Sequence, residues 1–182
     1  MSGFAQPSLL ASTVEGAANE RWGTPPELVA AYLRLLQLQR FDLDAAAEQV
    51  TRQAERYYGL DGGEGCLGDA LAASAEWGGE VWCNPPYGRS VGRWVEAAHH
   101  WALRGARVHL LVLARVDTAW FQDLVFGGQA RRRVRFLRGR LAFLDPETRR
   151  PGQPCPVPSV LVAFGPGVGG LEVNGWDWRR QR

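Results

Sequence analysis

Apolar positions along the chain switch between a helical and a strand rhythm, and the switches outline the fold. Leu28, Val29, Tyr32, Leu33, Leu35 and Leu36 recur at helical spacing and predict a helix from Pro25 to about Gln39. Thr24 as N-cap, Pro25 at the first helical position and Glu27 form an expected capping box. Phe41-Asp42-Leu43-Asp44 alternates as a strand does, which puts Asp42 and Asp44 on one face. Ala46, Val50, Ala54 and Tyr57 then predict a second helix from Ala45 to about Tyr58. A Gly-rich loop over residues 59–68 and a short segment around Asp69 lead to a strand at Val81–Cys83. Val91, Trp94, Val95, Ala98 and Ala102 mark a third helix, and Val108–Leu113 is an apolar run of the buried-strand kind. A short helix at Thr118–Phe126, strands at Val134–Leu137 and Leu141–Leu144, a Pro-rich loop over 145–158 and a strand at Ser159–Phe164 follow. Helices alternating with strands, then strands in succession, predict an α/β sheet with an antiparallel hairpin at its end. Residues 1–20 and 166–182 lack periodicity and are expected to be tails around one domain over residues 21–165.

Composition narrows the class. A chain of 182 residues with 46% hydrophobic and 22% charged residues can bury a core as one domain. No apolar run approaches the roughly 20 residues of a membrane span, and the N-terminus lacks the basic and apolar blocks of a secretory signal. Cys66, Cys83 and Cys155 are too scattered for a disulfide framework or a metal site, so no metal and a reducing cytoplasm are expected. All 21 basic residues are Arg, which weakens any single Arg as a sign of bidentate recognition.

The chemistry is concentrated in Asn84-Pro85-Pro86-Tyr87, which follows an expected strand and precedes Gly88. The Asn84 side-chain oxygen and the Pro85 carbonyl can both accept hydrogen bonds from one exocyclic amine. Such an amine is a poor nucleophile because its lone pair is delocalised into the ring. Two acceptors on its hydrogens favour a more tetrahedral nitrogen able to attack a methyl group. Tyr87 offers a face for stacking, and the prolines fix φ and bring no competing N–H. The turn is similar to the amine-methylation motif of S-adenosylmethionine-dependent adenine-N6 methyltransferases. Nearby acids could serve a methyl donor: Asp42 and Asp44 on the first strand, and Asp69 fifteen residues before Asn84. Asp44 could equally cap the helix expected at Ala45.

The succession Trp22-x-Thr24-Pro25, Phe41-Asp42-Leu43-Asp44-x-Ala46-Ala47, Asp69-x-Leu71, Trp82–Tyr87, Asp117-Thr118-x-Trp120-Phe121 and Gly139-Arg140-Leu141-x-Phe143 resembles the phage-type Dam-like DNA adenine-N6 methyltransferases. The resemblance spans about residues 21–164. It implies a single-domain Rossmann-like fold, S-adenosylmethionine as donor, and adenine in DNA as acceptor. Trp22, Thr24, Pro25, Asp42, Asp44, Ala45 and Asp69 would then form the donor pocket, while Asn84, Pro85, Pro86 and Tyr87 hold a flipped adenine. Where many such enzymes have a Gly-rich loop or Asp-Pro after the first strand, this chain has Asp44-Ala45-Ala46-Ala47-Glu48.

Arg131, Arg132, Arg133, Arg135, Arg138 and Arg140 give six positive charges in ten residues, a density that suits DNA phosphates or a solvated strand edge. Arg138 and Arg140, with Arg115 near the expected pocket mouth, are the candidate DNA contacts. No segment is long enough for a separate recognition domain, so sequence reading would fall to loops such as 61–79, 88–93 and 144–158. Methylation of RNA adenine or of a protein glutamine amide is an alternative, since both use the same turn. A non-catalytic nucleic-acid-binding protein with this fold is another.

Overall fold

The computed structural model describes residues 22–145 and 147–180. The expected tail over residues 1–20 lies outside them. A six-stranded mixed sheet carries helices on its two faces, in the order β1-β2-β3-β5-β4-β6. β1 (Leu43–Asp44), β2 (Glu80–Cys83) and β3 (Arg107–Leu113) run parallel to one another. β5 (Ser159–Phe164) enters antiparallel to both β3 and β4 (Arg132–Leu137), which supplies the antiparallel pairing expected late in the chain. Single bridges from Asp44 to Tyr57 and from Tyr57 to Cys66 continue the sheet beyond β1.

β3 shows how the sequence builds two cores. Val108, Leu110 and Val112 face one side, where α2 (Val91–Leu103) lays down Val95, Ala98 and Ala102 at helical spacing. Leu111 faces the other side and meets Leu28 and Tyr32 of α1 (Pro26–Leu36), with Trp82 and Leu161. Burying both faces explains why β5 is almost wholly apolar and why β3 is apolar from Val108 to Leu113 except at His109. Among the described residues no helix is long and apolar enough to cross a membrane.

Several expected elements take other forms. The capping box is absent: Pro25 is the N-cap of α1, without a side-chain cap, and the carbonyl of Pro25 accepts from Leu28 and Val29 N–H. The helix expected over residues 45–58 is replaced by irregular turns. Residues 121–126 form a π-helical turn. Residues 141–144 do not pair with β4, and Leu144 instead bridges Gly23 and Pro151. Residues 171–176, unassigned by pattern, form β6 (Leu171–Trp176) and lie parallel to β4 in continuous register.

One buried polar network was not legible from the pattern. His109 of β3 is fully buried, its Nδ1 accepting from the Tyr32 hydroxyl (3.0 Å) and its Nε2–H donating to the Glu80 carboxylate (2.8 Å). Glu80 also pairs with Arg107 at 2.8 Å. Burial holds the His109 pKa below its usual value, against the pull of Glu80. The unfolded chain takes up a proton near pH ~6.5 that the folded chain resists, so stability is present above that pH and is lost as pH falls below it. Denaturant midpoints measured from pH 7.5 to 5 are expected to fall more steeply for the native protein than for His109→Phe. Parallel profiles would show that His109 does not carry the pH dependence.

Candidate active site

Because β1, β2 and β3 are parallel, their carboxyl ends reach one edge of the sheet, where ligands of open α/β folds bind. Asp44 ends β1, Asn84 follows β2, and Arg115 stands exposed two residues beyond β3. A cavity of about 470 Å³ opens there, within the range of small-molecule sites. Trp22, Ala46, Ala47, Asp61, Asp69, Asn84, Pro86 and Trp94 are among its walls. Gly59 also lines it, and a Cβ there would stand 2.3 Å from the Ala47 carbonyl oxygen, so close approach of two backbone segments shapes this wall.

Asn84 is held by both ends of its amide. Nδ2 donates to the Trp22 carbonyl at 2.7 Å, and Oδ1 accepts from the Tyr87 hydroxyl at 2.6 Å. A carbonyl can only accept, so it selects the NH₂ end of the amide and turns Oδ1 away from itself. The Tyr87 hydroxyl also stands 3.3 Å from the Leu111 carbonyl oxygen. Its ring is half-buried, edge-on to Phe143 with centroids 5.3 Å apart. Burial raises the phenol pKa well above its ordinary value, so the group remains a donor. Pro85 is buried, whereas Pro86 reaches the cavity wall. Asn84 and Pro86 of the motif therefore line the cavity, whereas Pro85 and Tyr87 stand behind its wall.

The acids separate into different roles. Asp44 is 2% exposed and does not line the cavity. Its carboxylate accepts from Ala46 N–H (3.1 Å) and Gln53 N–H (2.9 Å), so it shapes the irregular segment whose residues Ala46, Ala47 and Thr51 form the cavity wall. Burial pushes its pKa up to about 7 against the opposing effect of those two N–H groups. Asp42 lies at the other end of the sheet, where its carboxylate accepts from Glu80 N–H at 2.8 Å. Asp69 is exposed on the cavity wall, with Oδ1 accepting from Leu71 N–H. Thr24, Pro25 and Ala45 are buried and do not line the cavity.

Asp61 is the residue that pattern reading missed. It lines the cavity and accepts from Gln49 N–H (2.6 Å) and the Tyr57 hydroxyl (2.8 Å). The Gln49 N–H, joined by the Tyr57 hydroxyl, holds its carboxyl below the usual range. The available signal was an acid beside Gly62-Gly63, just past Tyr57. Expecting a helix through residue 58 hid the strand-like bridges of Tyr57, after which the chain bends at Asp61 toward the cavity.

The arginine run is less free than its density implied. The Arg132 guanidinium donates to carbonyls of Val125, Phe126, Gly128 and Ala130 and closes the π-helical turn. Arg133 pairs with Glu172 of β6, and Arg138 with Asp177 at 3.1 Å. Arg140 is exposed, and its carbonyl accepts from Arg179. β4 lies between β5 and β6, so the run is not a sheet edge. His99 accepts backbone N–H bonds from Gln129 and Ala130. Among the described residues no group of three or more His, Cys, Asp or Glu could hold a metal ion.

Strand order and cavity together define a fold of the methyltransferase class. The chain shares it with a Listeria monocytogenes protein described as a class I S-adenosylmethionine-dependent methyltransferase, at a TM-score of 0.52 and 15% identity over 88% of this chain and 68% of that one. Residues 11–169 match the family described as DNA N-6-adenine-methyltransferase (Dam), and the chain belongs to that family. No curated protein matches the sequence.

Replacing Asp44 with Ala leaves two backbone N–H groups without their acceptor, at about 1–3 kcal/mol for each one that stays buried. Chemical denaturation of Asp44→Ala is expected to show a loss of that order. Unchanged stability would mean that residues 45–53 hold their shape without the carboxylate.

Proposed function

We propose that the protein transfers a methyl group from S-adenosylmethionine to the N6 amine of adenine in DNA, with the base flipped into the mouth of the cavity. The observation that carries this reading is the oriented amide of Asn84 on the cavity wall. Family membership supports adenine and DNA as the acceptor class. The cavity suits the donor, because its walls combine apolar Ala46, Ala47, Ala70 and Trp94 with the carboxylates of Glu48, Asp61 and Asp69. Carboxylates suit the donor's ammonium group and ribose hydroxyls, while apolar walls suit its adenine. Bound there, the donor supplies an electrophilic methyl group on a sulfonium.

The chain's own residues then have distinct tasks. Trp22 keeps the Asn84 amide from flipping. Asn84 Oδ1 and the Pro85 carbonyl accept the two N6 hydrogens and draw the amine toward a tetrahedral geometry. Oδ1 has a second lone pair beside the one used by Tyr87, and the Leu111 carbonyl offers the Tyr87 hydroxyl an alternative partner. The Tyr87 ring then serves as the surface on which the flipped base stacks. Flipping costs a few kcal/mol, which stacking and strand contacts must offset. Once methylated, the nitrogen is acidic enough to release its proton without a dedicated histidine.

Incubation with methyl-labelled donor and DNA, RNA or cell protein, followed by nucleoside and amino-acid analysis, tests the proposal. Label is expected in N6-methyldeoxyadenosine. Label in RNA adenine or protein glutamine alone would reassign the substrate, and none in any pool would favour a binding protein.

For the donor side, Asp61→Ala is expected to weaken calorimetric donor affinity by roughly ten- to a hundredfold, from the loss of charge-assisted hydrogen bonds of about 1.5–3 kcal/mol. Asp42→Ala is expected to leave it unchanged. The reverse pattern would move the acidic anchor back to the first strand.

A further inference from the structure

Apart from the Asn84–Tyr87 turn, a short antiparallel ribbon between Phe143 and Gly152 stands against the cavity wall without an assigned task. Gly152 N–H donates to the Phe143 carbonyl (2.8 Å) and Asp145 N–H to the Arg150 carbonyl (2.9 Å). Reciprocal bonds of 2.9 and 2.8 Å between Gly23 and Leu144 fasten the ribbon to the segment whose Trp22 carbonyl holds Asn84. Asp145 accepts from Glu147 N–H, Thr148 N–H and the Thr148 hydroxyl, so its carboxylate braces the tip from within.

Arg149 and Arg150 stand on that tip, both exposed, and no carboxylate among the described residues pairs with either. Arg149 adopts φ +58°, a left-handed conformation that glycine takes without strain and arginine does not. Its Nη1 would stand 3.3 Å from a Cβ placed on Gly23, so the guanidinium lies over bare backbone one residue from Trp22. The ribbon thus brings a guanidinium without a carboxylate partner among the described residues to Gly23, next to the Trp22 that holds Asn84, while Arg132, Arg133 and Arg138 of the long arginine run have partners within the chain.

We infer that this ribbon is the DNA-contacting element of the site, with Arg149 on a backbone phosphate of the strand that carries the flipped adenine and Arg150 beside it. A guanidinium matches phosphate by two parallel hydrogen bonds, and a two-stranded ribbon is narrow enough to enter a major groove. Anchoring through Gly23 couples the grip on the strand to the position of Asn84. The inference rests on the adenine-in-DNA reading and names the surface that reading needs.

Arg149→Gly is the informative variant, because glycine relaxes at φ +58° and the ribbon's backbone bonds are untouched. Thermal stability and calorimetric donor affinity are expected to be retained. Affinity for a DNA duplex, read by anisotropy across a salt series, is expected to fall about tenfold, with the log–log salt slope reduced by about 0.9 for the phosphate released. Native DNA affinity and slope in a folded, donor-binding variant would overturn the inference and leave the methyl-transfer reading standing. A native protein that binds donor but neither duplex nor single-stranded DNA would remove that reading and this inference with it.

Discussion

A side-chain amide is oriented only when its two ends meet groups of opposite character. Asn84 meets that condition through partners far apart in sequence: the Trp22 carbonyl takes its NH₂ and the Tyr87 hydroxyl gives a proton to its oxygen. The first bond ties the segment before α1 to the end of β2, and the second ties the turn back toward β3 through Leu111. The cavity wall, the Asn84–Tyr87 turn and the ribbon fastened at Gly23 all converge on this one amide. A charged or longer residue at position 84 would lose the complementarity, because the Trp22 carbonyl requires a donor where the Tyr87 hydroxyl requires an acceptor.

The parallel pairing of β1, β2 and β3 makes that convergence possible, since it brings the three carboxyl ends to one edge. Asp44 contributes from behind the wall. Its buried carboxylate takes two backbone N–H groups and converts an alanine-rich segment into a fixed irregular turn, which puts small side chains on the cavity.

Much of this was legible in the chain. Val108–Leu113 and Ser159–Phe164 announced themselves as strands buried on both faces, and Val95, Ala98 and Ala102 marked the buried stripe of α2. The motif at residues 84–87 marked a turn that puts Asn84 and Pro86 on the cavity, because its residues are contiguous. Other features depended on long-range partners. Helical spacing at Ala46, Val50 and Ala54 was overridden when Asp44 captured the N–H groups of Ala46 and Gln53, competing locally with helix. In β6, exposed Leu171 and Val173 alternate with Glu172 and Asn174, and the strand forms because β4 offers an unpaired backbone edge. Charge density among the arginines revealed nothing about the carbonyls that end the π-helical turn or about Glu172, the partners that occupy Arg132 and Arg133. Asp61 became visible as a site residue only once Tyr57 proved to extend the sheet.

The most direct test is Asn84→Ala, assayed for methyl transfer to DNA alongside calorimetric donor affinity. Losing one oriented acceptor is expected to lower turnover by on the order of 10²-fold or more. Donor affinity should stay near native, because the carboxylates of the donor wall are elsewhere. Near-native turnover in the folded variant would contradict the central role given to Asn84. Loss of donor affinity equal to the loss of turnover would contradict the division of the cavity into a donor wall and an acceptor turn.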